Sequence, residues 1–124
     1  MTALDDAPTT QRGAWVRVCR LDDLTVGRGV AALVGPTQVA VFRLSADAAD
    51  PRLRAVDNID PFGRAAVISR GIVGDRNGVP TVASPLLKQV FSLDSGECLD
   101  DETVALNTYP VRVVDGVVEV CANR

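Results

Sequence analysis

The chain has 124 residues, 47% hydrophobic, 23% charged and only 4% aromatic, with a formal net charge of −3. That length suits a single domain that buries about two-thirds of its unfolded surface, the balance excludes a disordered chain, and the core has to be aliphatic. An acidic chain with one Trp, one Tyr and three Phe lacks the Lys/Arg surplus and stacking platform of a nucleic-acid binder, and no apolar stretch approaches the roughly 20 residues of a spanning helix. Neither nucleic acid nor membrane is an expected partner, and a soluble, cytoplasmic protein is expected.

Residues 1–12 carry little periodic hydrophobicity and read as a flexible N-terminal tail, leaving 13–124 as one domain. From Ala14 to Cys19, Val16 and Val18 alternate with Arg17 and Cys19, the pattern of a strand with two unlike faces. Gly29 to Val34 and Gln38 to Leu44 are β-rich runs around Gly35-Pro36-Thr37, which predicts a hairpin. Ser45 to Pro51 is a surface loop, and a short strand follows from Arg54 to about Ile59.

Residues 60–78 hold Pro61, Gly63, Gly71, Gly74 and Gly78, a density of turn formers that predicts a loop without a long regular element. Val79 to Ala83 and Gln89 to Leu93 are the next strands, and Asp94 to Glu97 is a turn. Tyr109 to Val114 and Val117 to Cys121 flank Asp115-Gly116, which suits the positive φ angles of a two-residue type I′ hairpin. Seven or eight short strands without an amphipathic helix predict an all-β, antiparallel sandwich or barrel. No internal repeat is evident.

Three separated cysteines, Cys19, Cys98 and Cys121, form neither a disulfide framework nor a metal knuckle. Cys19 and Cys121 fall in strand-like runs and read as small apolar residues, and no histidine exists to activate a thiol. Asp57 and Asp60 admit an acid–base pairing, but beside Pro61 they read better as turn caps. The Gly71/Gly74/Gly78 spacing lacks the helix and the Gly-Lys-Ser/Thr ending of a phosphate loop.

Ser84-Pro85-Leu86-Leu87-Lys88-Gln89-Val90-Phe91-Ser92-Leu93-Asp94-Ser95-Gly96 resembles the second half of a Rieske iron–sulfur signature. A Rieske centre binds one iron through two imidazoles and the other through two thiolates, and this chain has no histidine. Laying the Cys-x-His and Cys-x-x-His pattern on the sequence puts the ligand pairs at Asn58 and Asp60, and at Ser84 and Leu87. Asn58, Asp60 and Ser84 are short polar residues suited to bonding nearby backbone in turns, and Leu87 can fill space. The ligand cavity is therefore expected to have become a hydrogen-bonded, packed region.

Three blocks in order, Val56 to Phe62, Ile68 to Asp75 and Ala83 to Gln89, resemble the small subunits of assimilatory NAD(P)H-dependent nitrite reductases. The resemblance implies a cluster-free Rieske-like fold with no catalytic, cofactor-binding or metal-binding residue of its own. It also implies a large partner subunit carrying FAD, sirohaem and an iron–sulfur cluster, the centres that take electrons from NAD(P)H to nitrite. In such a fold the loops carrying Arg64, Arg70, Arg76 and Lys88 gather at one tip. These cations, with Phe62, Ile68, Leu86 and Leu87 as apolar anchors, are candidates for docking the partner. The alternative is a cluster-free adaptor or ligand-binding sandwich unrelated to nitrite; a ferredoxin-type carrier is opposed by the missing histidines and by too few thiolates.

Overall fold

A computed structural model describes residues 14–122; the expected tail, 1–12, lies outside them. Nine strands follow in order: β1 (Trp15–Arg20), β2 (Gly29–Val34), β3 (Thr37–Arg43), β4 (Leu53–Asp57), β5 (Ile72–Arg76), β6 (Val79–Ala83), β7 (Val90–Ser92), β8 (Val111–Val114) and β9 (Val117–Cys121). The only helical pieces among the described residues are 3₁₀ turns at Leu21–Asp23 and Ile68–Arg70. The strands form three antiparallel sheets ordered β1-β9-β8, β2-β3-β4 and β5-β6-β7, so the all-β, antiparallel expectation holds.

The middle sheet is apolar on both faces because β3 is. Val39 and Val41 join Ala55 of β4 in one core with Val118 and Val120 of β9. Ala40 and Phe42 join Val56 in a second core with Ile68, Val82 and Phe91. Strand alternation sends neighbours to opposite faces, so the continuous run Val39 to Phe42 signals a strand between two layers.

Turn chemistry fixes the hairpins. Gly35 has φ 60° ahead of Pro36, as a glycine-first type II′ turn requires, and Asp115 and Gly116 have φ 51° and 77°, as type I′ requires. The expected loop over 60–78 needs correction, since it contains the Ile68–Arg70 turn and the whole of β5. Asn77 and Gly78, at φ 55° and 87°, join β5 to β6 by another tight turn. Gly71 marks close packing: a Cβ there would lie 2.5 Å from the Ala83 carbonyl oxygen.

Arg43, at the end of β3, is buried with no carboxylate partner among the described residues. Its Nε donates to the Ser45 carbonyl at 2.8 Å, Nη1 to Leu21 at 3.2 Å and Nη2 to Ala46 at 3.0 Å. One guanidinium thus ties the first 3₁₀ turn to the loop after β3, using its forked donors to satisfy three carbonyls. Arg43→Met keeps the apolar stem and strands those acceptors. It is expected to destabilise the fold by about 2–4 kcal/mol, read as a lower urea midpoint; an unchanged midpoint would remove this role.

Candidate functional site: two clasped loops at the tip

Strands β4 and β6 belong to different sheets and run out at the same end of the molecule. β4 leads into Asp60-Pro61-Phe62-Gly63-Arg64-Ala65, and β6 leads into Ser84-Pro85-Leu86-Leu87-Lys88-Gln89. The two loops share one plan. In the first, the Asp60 amide donates to the Ala65 carbonyl (2.8 Å) and the Arg64 amide to the Asp60 carbonyl (2.7 Å); in the second, the Ser84 amide donates to Gln89 (2.9 Å) and the Lys88 amide to Ser84 (3.0 Å). A proline follows each anchor, and each anchor side chain accepts the amide two residues on, Phe62 at 2.7 Å and Leu86 at 3.3 Å. Arg64 and Lys88, at matching positions, both have φ 63°.

The anchors also bind each other: the Ser84 hydroxyl donates to Asp60 Oδ2. Both side chains are buried. Asp60 Oδ1 accepts the Phe62 amide and, at 3.2 Å, the Gly63 amide. Such donors offset the desolvation of a carboxylate that has no ion pair among the described residues. Beside them, the buried Asn58 accepts the Ser69 amide through Oδ1 at 2.8 Å, while its backbone carbonyl accepts Ile68 N–H. Asp57 is engaged elsewhere, accepting the Tyr109 hydroxyl and, at 2.8 Å, the Asn107 amide. The two aspartates thus have separate structural partners.

Two expectations need correction. Leu87 does not fill the region between the loops: it is 61% exposed, at the turn of the second loop, and belongs to neither core. Ile68 cannot serve as a docking anchor: it is fully buried in the second core, where its 3₁₀ turn covers the middle sheet. Phe62 is half-buried with its ring 6.2 Å from that of Phe91, so part of it is committed to the core. Leu86 is exposed and lies over Gly63, where a Cβ would come within 2.4 Å of it. Arg64, Arg70 and Lys88 are exposed around this end. Arg76 lies at the other end of β5, opposite Val79, roughly 14 Å along the strand from Ile72 at ~3.4 Å per residue.

No thiol belongs to the tip. Cys98 is buried in the second core, and Cys19 and Cys121 are half-buried on β1 and β9. Burial, and next the Asp23 carboxylate, push the Cys19 thiol up from its ordinary value, which disfavours the reactive thiolate. The loop motif itself went unnoticed in the sequence. The visible signal is the recurrence, 24 positions apart, of a short polar residue, Pro, an apolar residue, any residue and a cation.

Three antiparallel sheets with two clasped loops at one end define a Rieske-like domain, and the model of the Rieske-like [2Fe-2S] domain family matches residues 14–121. The "Nitrite reductase (NADH) small subunit" of Salmonella typhimurium is 44% identical over 106 residues, covering 86% of this chain and 95% of that one. A crystal structure described as an NADH-dependent nitrite reductase small subunit from Mycobacterium tuberculosis is 47% identical, with TM-score 0.85, over 92% of this chain and 99% of that one. The "Nitrite reductase [NAD(P)H] large subunit" of Klebsiella oxytoca matches at 36% identity over 118 residues, which are 95% of this chain and 12% of that protein. The chain belongs to the nitrite reductase (NADH) small-subunit family of Rieske-like domains.

A [2Fe–2S] group, which the domain family's description implies, does not fit these residues. The chain has no imidazole, Leu87 has no donor atom, and the side-chain oxygens of Asp60, Asn58 and Ser84 are engaged in the bonds above. Among the described residues no group of three or more His, Cys, Asp or Glu is placed to hold a metal ion.

Ser84→Ala removes the donor between the loops and leaves Asp60 Oδ2 buried. A loss of about 2–3 kcal/mol is expected, measured by urea unfolding; a loss below about 0.5 kcal/mol, the range of neutral surface changes, would show that the loops hold without the clasp. Iron analysis of protein purified from cells grown in iron-rich medium is expected to find no stoichiometric iron and no [2Fe–2S] absorption; a full cluster would overturn the misfit.

Proposed function

We propose that this chain is the non-redox small subunit of a cytoplasmic NAD(P)H-dependent nitrite reductase, which reduces nitrite to ammonia for nitrogen assimilation. It supplies no catalytic, cofactor-binding or metal-binding residue. Asn58, Asp60, Ser84 and Leu87 are vestigial ligand positions in this reading. The large subunit carries FAD, sirohaem and an iron–sulfur cluster, and the small subunit supports the assembly or activity of those centres. The observation that carries the proposal is a loop tip held in order by Asp60 and Ser84, residues that replace electron-carrying ligands with a hydrogen bond. Such a tip offers a surface rather than a redox centre.

The family's relatives support the choice of partner. In the Klebsiella oxytoca large subunit, a segment similar to nearly all of this chain lies within the large-subunit polypeptide itself. Covalent linkage raises effective concentration without a new contact, so the same pair of surfaces can meet as separate chains. In this reading Phe62, Arg64, Arg70, Leu86 and Lys88 form the docking face, with the cations at its rim and the apolar residues at its centre.

The test is NAD(P)H-dependent nitrite reduction by the purified large subunit, with and without this protein. Adding the small subunit is expected to raise the rate until it saturates. A large subunit as active alone as in the mixture, with no complex formed on a sizing column, would overturn the proposal.

A further inference from the structure

The matched loops carry an inference about how that surface is read, and it rests on the proposed role as a partner of the large subunit. We propose that the Asp60–Ser84 clasp is a positioning device that presents Arg64 and Lys88 as a fixed pair of cations to two carboxylates on an acidic, partly apolar patch of the large subunit.

Both cations occupy the fifth position of their loop, both at φ 63°, a left-handed conformation disfavoured for long side chains. Glycine takes that conformation without steric cost, and asparagine tolerates it. The other non-glycine cases are Asn77 and Asp115, in tight hairpins, and Arg52, alone in the loop before β4. Among the described residues, only at the tip does the strained position recur with the same kind of side chain on two loops bonded to each other. Retaining Arg and Lys where glycine fits the backbone better points to a use for the charge.

The charge is also uncompensated. The ion pairs among the described residues, Arg17–Glu119, Arg54–Asp94 and Arg112–Glu119, lie on other parts of the fold. The one carboxylate within the two loops, Asp60, is buried and spent on Ser84 and the Phe62 and Gly63 amides. Neither Arg64 nor Lys88 forms an ion pair among the described residues. Leu86 rests on Gly63, next to Arg64 in the chain, and Leu87, next to Lys88, is exposed, so the two loops carry apolar surface beside the two cations. The large subunit is the occupant favoured here because in one relative the two are a single polypeptide.

The experiment measures the association rate of the full chain with the intact large subunit at low and high salt, together with thermal midpoints. Arg64→Gly combined with Lys88→Gly is expected to slow association about tenfold at low salt, with the difference shrinking at high salt and the midpoint unchanged or raised. Arg64→Asn with Lys88→Asn is the second version, should the glycine pair loosen the loops. Ser84→Ala keeps both cations but frees their spacing, and is expected to slow association as well. Arg76→Gln, at the far end of β5, is expected to leave the rate unchanged. A wild-type rate in both double variants, or an equal loss in Arg76→Gln, overturns the cation pair; a wild-type rate in Ser84→Ala overturns the positioning role of the clasp. If wild-type protein does not bind the large subunit, the proposed function itself fails, and the two failures are separable.

Discussion

The hydrogen bond from the Ser84 hydroxyl to the Asp60 carboxylate is the constraint on which the tip of the molecule depends. It joins the ends of β4 and β6, which belong to different sheets, where the two loops would otherwise be independent excursions. A buried carboxylate without a counter-ion is costly unless its oxygens are filled. Asp60 meets that condition with one hydroxyl from the other loop and two amides from its own. The clasp therefore works only while both loops keep their shape, and the loops keep their shape partly because of the clasp.

That exchange also sets what the tip can do. Thiolate and imidazole ligands would staple two loops together and place a redox centre between them. A carboxylate and a hydroxyl provide the staple and nothing that stores an electron. The remaining chemistry lies at the surface, where an acidic chain displays cations that no carboxylate of the loops neutralises. Two arginines elsewhere are engaged internally: Arg43 caps three carbonyls, and Arg112 bonds Glu119 while its guanidinium lies 4.0 Å from the centre of the Trp15 ring.

Much of this was legible in the residues. The Asp115-Gly116 hairpin, the β2–β3 hairpin and the all-β architecture follow from local steric rules and alternation. Resemblance alone singled out Asn58, Asp60 and Ser84 as polar residues in ligand positions. β5 is hidden in the sequence because Gly71 and Gly74 look like loop residues there; in the fold Gly71 lies against the Ala83 carbonyl, where a Cβ would clash, and Gly74 pairs with Thr81. Nothing next to Ile68 in the chain shows that it is covered; the second core that covers it comes from Phe42, Val82 and Phe91, all distant in sequence. Leu87 looked like filler because only its chemistry, and not its direction, is written in the chain.

Residue types and φ preferences within a few positions suffice for most of the strands, for the tight hairpin turns and for the impossibility of a two-imidazole iron site. That Asp60 and Ser84 meet, that their loops are copies of one plan, and that Arg64 and Lys88 hold equivalent positions in them emerges from the folded chain. Those facts depend on how two sheets pack about the two-faced strand β3, and packing brings together residues 24 positions apart that carry no local sign of being neighbours.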